Sequence, residues 1–233
     1  MDNGFQERLE GIRRRMREAC DRAGRDPSSV RLLPVSKTFG PDAVLRAAES
    51  GLDVFGENKV QEAQAKIPLC PGRLHWHLIG HLQSNKVRAA VRLFETVHSA
   101  DSIGLLERLD AACAEEGRRL DVLLQVNVSG EATKHGLRPD EARAAAEFAN
   151  ALPNLVLRGF MTIPQAFSES EGVRPSFRRL RELRDGLRDS LGIPLEELSM
   201  GMSHDFETAI EEGATWIRVG SALFGARTRG GDV

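Results

Sequence analysis

Short apolar runs alternate with amphipathic stretches from about residue 30 onward, and this alternation constrains the fold more than any other feature of the chain. The runs at 30–36, 54–55, 75–79, 96–98, 120–128, 155–161, 199–200 and 216–219 have the length of strands. Helical spacing fills the intervals at 41–50, 58–66, 85–93, 101–116, 139–149, 177–191 and 203–212. Asp101 is expected to cap one of these helices and Pro139 to open another. Strand followed by helix, repeated, requires crossover connections and hence a parallel sheet. Eight rounds predict an α/β fold, a single (β/α)8 TIM-type barrel, with a doubly wound open sheet as the alternative. Phe5, Leu9, Ile12, Met16 and Cys20 recur at helical spacing, which predicts an extra N-terminal helix within residues 1–24, packed on the barrel. Gly24 and the turn at Asp26-Pro27-Ser28 stop it. No Pro-, Gly- or Ser-rich linker divides the chain, so residues 1–233 are expected to form one domain. The polar segment 167–174 is expected to be a surface loop.

Charge excludes several function classes. The 34 acidic and 32 basic residues nearly balance, leaving nothing to draw the chain as a whole to nucleic acid or an anionic membrane. Arg178, Arg179, Arg181, Arg184 and Arg188 share their helix with Glu182, Asp185 and Asp189, which predicts an ion-paired, solvated face. Cys20, Cys70 and Cys113 are far apart and odd in number, so neither a disulfide framework nor a zinc knuckle is readable. The charged N-terminus excludes the apolar core of a signal peptide, and no apolar run reaches membrane-spanning length. A cytoplasmic protein is expected.

Polar residues collect where the runs end: Lys37, then Gly56-Glu57-Asn58, His77, Asn127, Met161-Thr162, Met200-Gly201-Met202-Ser203 and Arg218-Val219-Gly220-Ser221. In a parallel barrel these ends share one face, the face on which active sites form. Gly201-Met202-Ser203 and Gly220-Ser221 each put glycine and serine before a helix, where unpartnered amides favour an anion. One such turn would be an ordinary serine cap; two, after the seventh and eighth strands, form the usual barrel phosphate site. Lys37 follows the apolar stretch Leu32-Leu33-Pro34-Val35, and desolvation favours the neutral, nucleophilic amine. A phosphate site beside such a lysine suggests a phosphorylated aldehyde as ligand. Arg218 lies inside an apolar strand; its guanidinium only donates hydrogen bonds and suits an unprotonated pyridine nitrogen. His75 and His77 share a strand face, yet the other histidines form no matching ligand set, so no metal is expected.

Together these residues resemble the pyridoxal 5′-phosphate (PLP) homeostasis protein family, the YggS/PROSC type. The matching blocks are Pro34-Val35-Ser36-Lys37-Thr38, Phe55-Gly56-Glu57-Asn58-Lys59-Val60-Gln61-Glu62 and His75-Trp76-His77-Leu78-Ile79-Gly80-His81-Leu82-Gln83-Ser84-Asn85-Lys86. They continue with Arg158-Gly159-Phe160-Met161-Thr162-Ile163-Pro164, Leu198-Ser199-Met200-Gly201-Met202-Ser203 and the segment 217–227. The resemblance implies a fold-type III PLP barrel, akin to the barrel domain of alanine racemase. It implies Lys37 as the Schiff-base lysine, Arg218 at the pyridine nitrogen, and Ser203, Gly220 and Ser221 around the phosphate. Asn58 would lie close to the ring, and Lys134 would be a second lysine near the cofactor. His77 and Met161 complete the expected cofactor-binding set. Ser221 stands where many relatives have threonine, and His204 where an acidic residue is common.

The chain contains no tyrosine, whereas an alanine-racemase-like enzyme uses one, from a separate domain, as its second base. A PLP-binding homeostasis protein with no catalytic residues is therefore expected, with a slow racemase-like PLP enzyme as the alternative. Its partners are expected to be PLP and apo forms of PLP-dependent enzymes, and nothing in the sequence reads as an oligomerisation element, so a monomer is expected.

Overall fold

The computed structural model describes residues 3–131, 134–164 and 170–225. The chain opens with α1 (Asn3–Arg22). There follow β1 (Arg31–Pro34), α2 (Pro41–Glu49), β2 (Val54–Glu57), α3 (Val60–Lys66), β3 (His75–Leu78), α4 (Val87–Leu93), β4 (Thr96–Ala100) and α5 (Ile103–Glu115). The second half holds β5 (Leu120–Gln125), α6 (Ala142–Ala151), β6 (Leu155–Met161), α7 (Arg174–Leu191), β7 (Glu197–Ser199), α8 (Phe206–Glu211), β8 (Trp216–Val219) and the single turn α9 (Ser221–Phe224). The strands form one sheet in the order β1-β8-β7-β6-β5-β4-β3-β2, with every pair parallel. A parallel bridge between Val35 and Gly56 brings the two end strands together, so the sheet is a nearly closed barrel and the open-sheet alternative falls away.

Apolar residues on both faces of the strands explain why the runs read as continuous. Leu33, Phe55, Leu78, Val97, Leu123 and Phe160 are buried in the sheet; Ala47, Ala63, Ala90, Leu109, Phe177 and Phe206 cover it from the helices. A fully buried side chain of this size contributes about 1.5–3 kcal/mol. Helix α1 buries Phe5, Leu9, Ile12, Ala19 and Cys20 against the same core. Arg15 bonds Glu207 at 2.5 Å and Arg8 donates to the Leu223 carbonyl at 2.7 Å, so α1 is strapped to α8 and α9. It therefore supports the two helices that follow the last turns of the barrel mouth.

Several helix starts differ from the sequence reading, and three of the differences have a visible cause. Ser102, not Asp101, caps α5, its hydroxyl accepting from the Leu105 amide, while Asp101 is held by His81. Helix α6 begins at Ala142 instead of Pro139, because the Glu141 carboxylate holds the Arg138 amide in a preceding turn. Helix α8 begins at Phe206, three residues beyond Ser203, because Asp205 turns back to accept from the Met202 amide at 2.6 Å. Of the loop expected at 167–174, residues 165–169 lie outside the described residues; Ser170–Val173 is a 3-10 turn and α7 starts at Arg174. Residues 226–227 of the last matching block also lie outside them.

Candidate functional site

A cavity of about 490 Å³ opens at the C-terminal ends of the strands. Lys37, Asn58, Lys134, Ser203, Arg218, Gly220 and Ser221 all line it, although they come from five different strand ends or loops. Val35, Phe39, Ile79 and Ile163 supply an apolar wall. A concave, mostly apolar site with a few convergent polar groups is the usual form of a small-molecule pocket.

Lys37 is half-buried and follows the last residues of β1. Behind it, the Lys66 amine donates to the Ser36 carbonyl at 2.7 Å and to Glu57 at 2.5 Å, and the Ser36 hydroxyl donates to the same Glu57 oxygen at 2.6 Å. All three side chains are buried. Burial pushes the Glu57 carboxyl up, against the opposing pull of its hydrogen bonds to Lys66 and Ser36. On the other side of Lys37, Thr38 adopts a φ of 68°, a left-handed conformation that non-glycine residues rarely take. The chain thus turns sharply away after Lys37, and Thr38 is fastened by its amide to Glu62.

Asn58 is brought to the rim by β2, and the β3 loop lies directly against it. A Cβ on Gly80 would stand 2.1 Å from the Asn58 carbonyl oxygen, so only glycine permits this approach. Gly201 has φ 89° and a Cβ there would meet Ala209 at 2.5 Å, which is how β7 turns tightly into α8. The outcome is that the β7 and β8 turns meet. Ser203 Oγ lies 3.4 Å from the Ser221 hydroxyl and 3.4 Å from the Ala222 amide. Ser203 does not cap α8, because Asp205 holds the turn before that helix through the Met202 amide.

Arg218 is buried on β8 yet lines the cavity. Its Nη1 donates to Ser199 Oγ at 2.8 Å and its Nη2 to the Thr162 carbonyl at 2.9 Å. Burial lowers its pKa to about 10, with Asp205 opposing the shift; it remains a cation at neutral pH. Lys134 pairs with Glu131 at 2.6 Å on the β5–α6 connection.

Two residues expected at the site are elsewhere. Met161 is fully buried at the end of β6 and does not line the cavity. His77 points into the barrel interior, where its Nδ1 is 2.9 Å from His98 Nε2. It lines a second cavity of about 230 Å³ among the N-terminal ends of the strands, the opposite face of the barrel. Burial lowers His77 to about 3 and His98 well below its ordinary value, so both rings are neutral. His75 lines the same second cavity but is exposed and pairs through Nδ1 with Glu95 at 2.7 Å. Among the described residues, His81, Asp101 and His135 bring potential metal-ligand atoms together. The two rings are stacked 3.8 Å apart at 10°, so their in-plane lone pairs run side by side without converging, and no metal is assigned.

His98, Ser199, Lys66, Gln125, Phe39 and His81 received no role from the sequence. His98, Ser199 and Lys66 had one available signal, a polar side chain within or against otherwise apolar elements, where burial without a partner is costly.

The model of the family "Alanine racemase, N-terminal domain" matches residues 8–228. The pyridoxal phosphate homeostasis protein of Pseudomonas aeruginosa is 49% identical, with 96% of each chain covered. That of Aquifex aeolicus is 44% identical, over 95% of this chain and 97% of the relative, and that of Homo sapiens 42%, over 94% and 85%. Among solved structures, PipY of Synechococcus elongatus PCC7942 with PLP bound superposes with a TM-score of 0.81 at 39% identity, covering 95% of this chain and 100% of PipY. Alanine racemase of Clostridium difficile 630 shares the fold, with a TM-score of 0.74 at 15% identity; 99% of this chain matches 58% of that one. The chain belongs to the pyridoxal phosphate homeostasis protein family, built on the alanine racemase N-terminal barrel.

Proposed function

We propose that this protein holds PLP in the mouth cavity and acts in PLP (vitamin B6) homeostasis and amino-acid balance, without turning over amino acids. The observation that carries the reading is the meeting of the Ser203 and Ser221 turns in a cavity that also receives Lys37 and Arg218. The residues present fit the cofactor: hydroxyls and turn amides for a phosphate, an amine for an aldehyde, and a donor-only cation for a ring nitrogen. When bound, PLP supplies an electrophilic aldehyde and a ring able to accept electron density.

Ser203, Ser221 and the neighbouring amides bind the phosphate; α9 is one turn long, so local amides rather than a long helix dipole carry this interaction. Lys37 presents its amine for Schiff-base formation from a backbone fixed by the Ser36–Glu57–Lys66 cluster. Arg218 donates to the ring nitrogen and keeps it free of a proton. Asn58 and Gly220 border the ring and the phosphate, and Lys134 offers a second amine at the rim. An arginine in that place makes the ring a weak electron acceptor, and the chain has no tyrosine for a racemase's second base. Both points, with the homeostasis names of the relatives, support a carrier that releases PLP to apo-enzymes. In this reading the protein is a single-domain cytoplasmic monomer. No described helix is long and apolar enough to cross a membrane.

The test is the absorbance spectrum of purified protein before and after borohydride. Yellow protein that loses its visible band, with the cofactor's mass fixed on the Lys37 peptide, is expected. Lys37→Ala is expected to lose that adduct and retain PLP weakly. Modification mainly at another lysine of the wild type would overturn the assignment of Lys37. Rapid α-deuterium incorporation into L-alanine, absent from Lys37→Ala, would overturn the non-enzyme reading.

A further inference from the structure

Arg218 does not end a hydrogen-bond chain; it begins one. From its Nη1 the contacts run to Ser199 Oγ at 2.8 Å, from Ser199 Oγ to His98 Nδ1 at 2.8 Å, and from His98 Nε2 to His77 Nδ1 at 2.9 Å. Every member is buried, and Trp216 packs edge-on against both imidazoles at 5.1 and 6.2 Å. The chain crosses the barrel interior from the mouth cavity, which Arg218 lines, to the opposite cavity, which His77 lines.

The chain has a direction, and Arg218 with Ser199 decides it. A guanidinium only donates, so Ser199 Oγ accepts from Arg218. Ser199 has one proton of its own, and His98 Nδ1 is its acceptor among the described contacts. If His98 instead donated from Nδ1, the serine proton would be buried without a partner, at a cost of about 1–3 kcal/mol. His98 therefore carries its proton on Nε2 and donates to His77 Nδ1, leaving His77 with its own Nε2–H toward the lower cavity. A serine that gives its proton away is a better acceptor, so the two imidazoles strengthen the bond at the guanidinium.

We infer that Ser199, His98 and His77 form a one-way relay that positions Arg218, making Ser199 and His98 positioning residues for the ring end of the cofactor site. The Thr162 carbonyl fixes Nη2, and the relay fixes Nη1; together they set the angle at which the guanidinium meets the cavity. With the relay cut, Arg218 is anchored on one side and is free to swing. This inference rests on the proposed PLP site for its consequence, and on the side-chain geometry alone for its direction.

Two measurements separate these. Nitrogen-15 NMR of histidine-labelled protein at pH 7, without added PLP, is expected to show His98 and His77 as neutral rings protonated on Nε2. A proton on His98 Nδ1, or a charged ring, would overturn the relay. Titration with PLP then tests the positioning role. Ser199→Ala is expected to weaken affinity by about 10-fold and to move the visible band, the scale of one charge-assisted hydrogen bond. His98→Asn, which keeps an acceptor for the Ser199 proton, is expected to stay within about 3-fold of wild type. Competition by inorganic phosphate is expected to be unchanged in both variants. If Ser199→Ala does not fold, His98→Leu carries the same comparison. Wild-type affinity and spectrum in the relay-breaking variant would overturn the role. A wild type without affinity for PLP would overturn the proposed function, while the labelled rings would still decide the direction of the relay.

Discussion

Lys66 shows how much of a lysine's setting is arranged by residues that never reach the ligand. Its amine satisfies the Ser36 carbonyl and one Glu57 oxygen, and it sits with Glu57 behind the strand that carries Lys37. Glu57 Oε2 is buried without a hydrogen-bond partner among the described residues, so the carboxylate depends on Lys66 and Ser36 for compensation. Removing one partner of a buried ion pair is far more costly than never having built it. Lys66→Met is expected to cost about 3–5 kcal/mol, read as a lower urea midpoint. Adding Glu57→Gln is expected to recover part of that loss, because the uncompensated charge is gone. Full additivity of the two substitutions would show that the pair is not coupled.

At the scale of elements, the site is a product of turns. Ser203 and Ser221 meet because Gly201 lets β7 turn within one residue and Asp205 delays the start of α8. Replacing both serines by alanine is expected to weaken PLP retention by about 1–3 kcal/mol. The loss is expected for PLP and not for pyridoxal, which lacks the phosphate; equal affinities of the wild type for the two ligands would count against the phosphate assignment. The barrel itself was legible, because a residue's neighbours within one strand or helix decide the alternation of apolar runs. The grouping of Lys37, Ser203, Arg218 and Ser221 was legible too, because parallel strands put their C-terminal ends on one face. Helix starts were not, since Asp101 and Ser102 compete for one cap and a tertiary partner, His81, decides between them. His77 was placed by its strand position but not by its face. Its partner His98 is bound to Ser199, 101 positions away, and nothing local announces that β4 and β7 meet across the barrel.

For the whole molecule, the two neutral histidines tie stability to pH. His77 titrates at about 3 in the folded chain, held down by burial and by the nearby Arg31 and His75, against about 6.5 when unfolded. The unfolded chain therefore binds the extra proton first, so this contribution to stability is complete above pH 6.5. It is lost progressively as pH falls from 6.5 towards 3, at up to about 1.4 kcal/mol per pH unit. His98 is shifted in the same direction, by burial first, and adds to the slope. The urea midpoint is expected to fall between pH 6.5 and 5, and His77→Gln is expected to flatten that fall. The closure of the barrel has a consequence of its own. Among the described residues, β1 and β2 meet at a single bridge, Val35 to Gly56, and the Ser36 amide reaches the Gly56 carbonyl there at 3.0 Å. A hoop loosens first where its joints are narrow, so deuterium is expected to enter the Ser36 amide sooner than the Leu124 amide of the broadly paired β5. Lys37 stands on one side of that joint and Asn58 on the other, so a ligand held between them works as a clasp, and loading the protein with PLP is expected to slow exchange at Ser36 while leaving β5 unchanged.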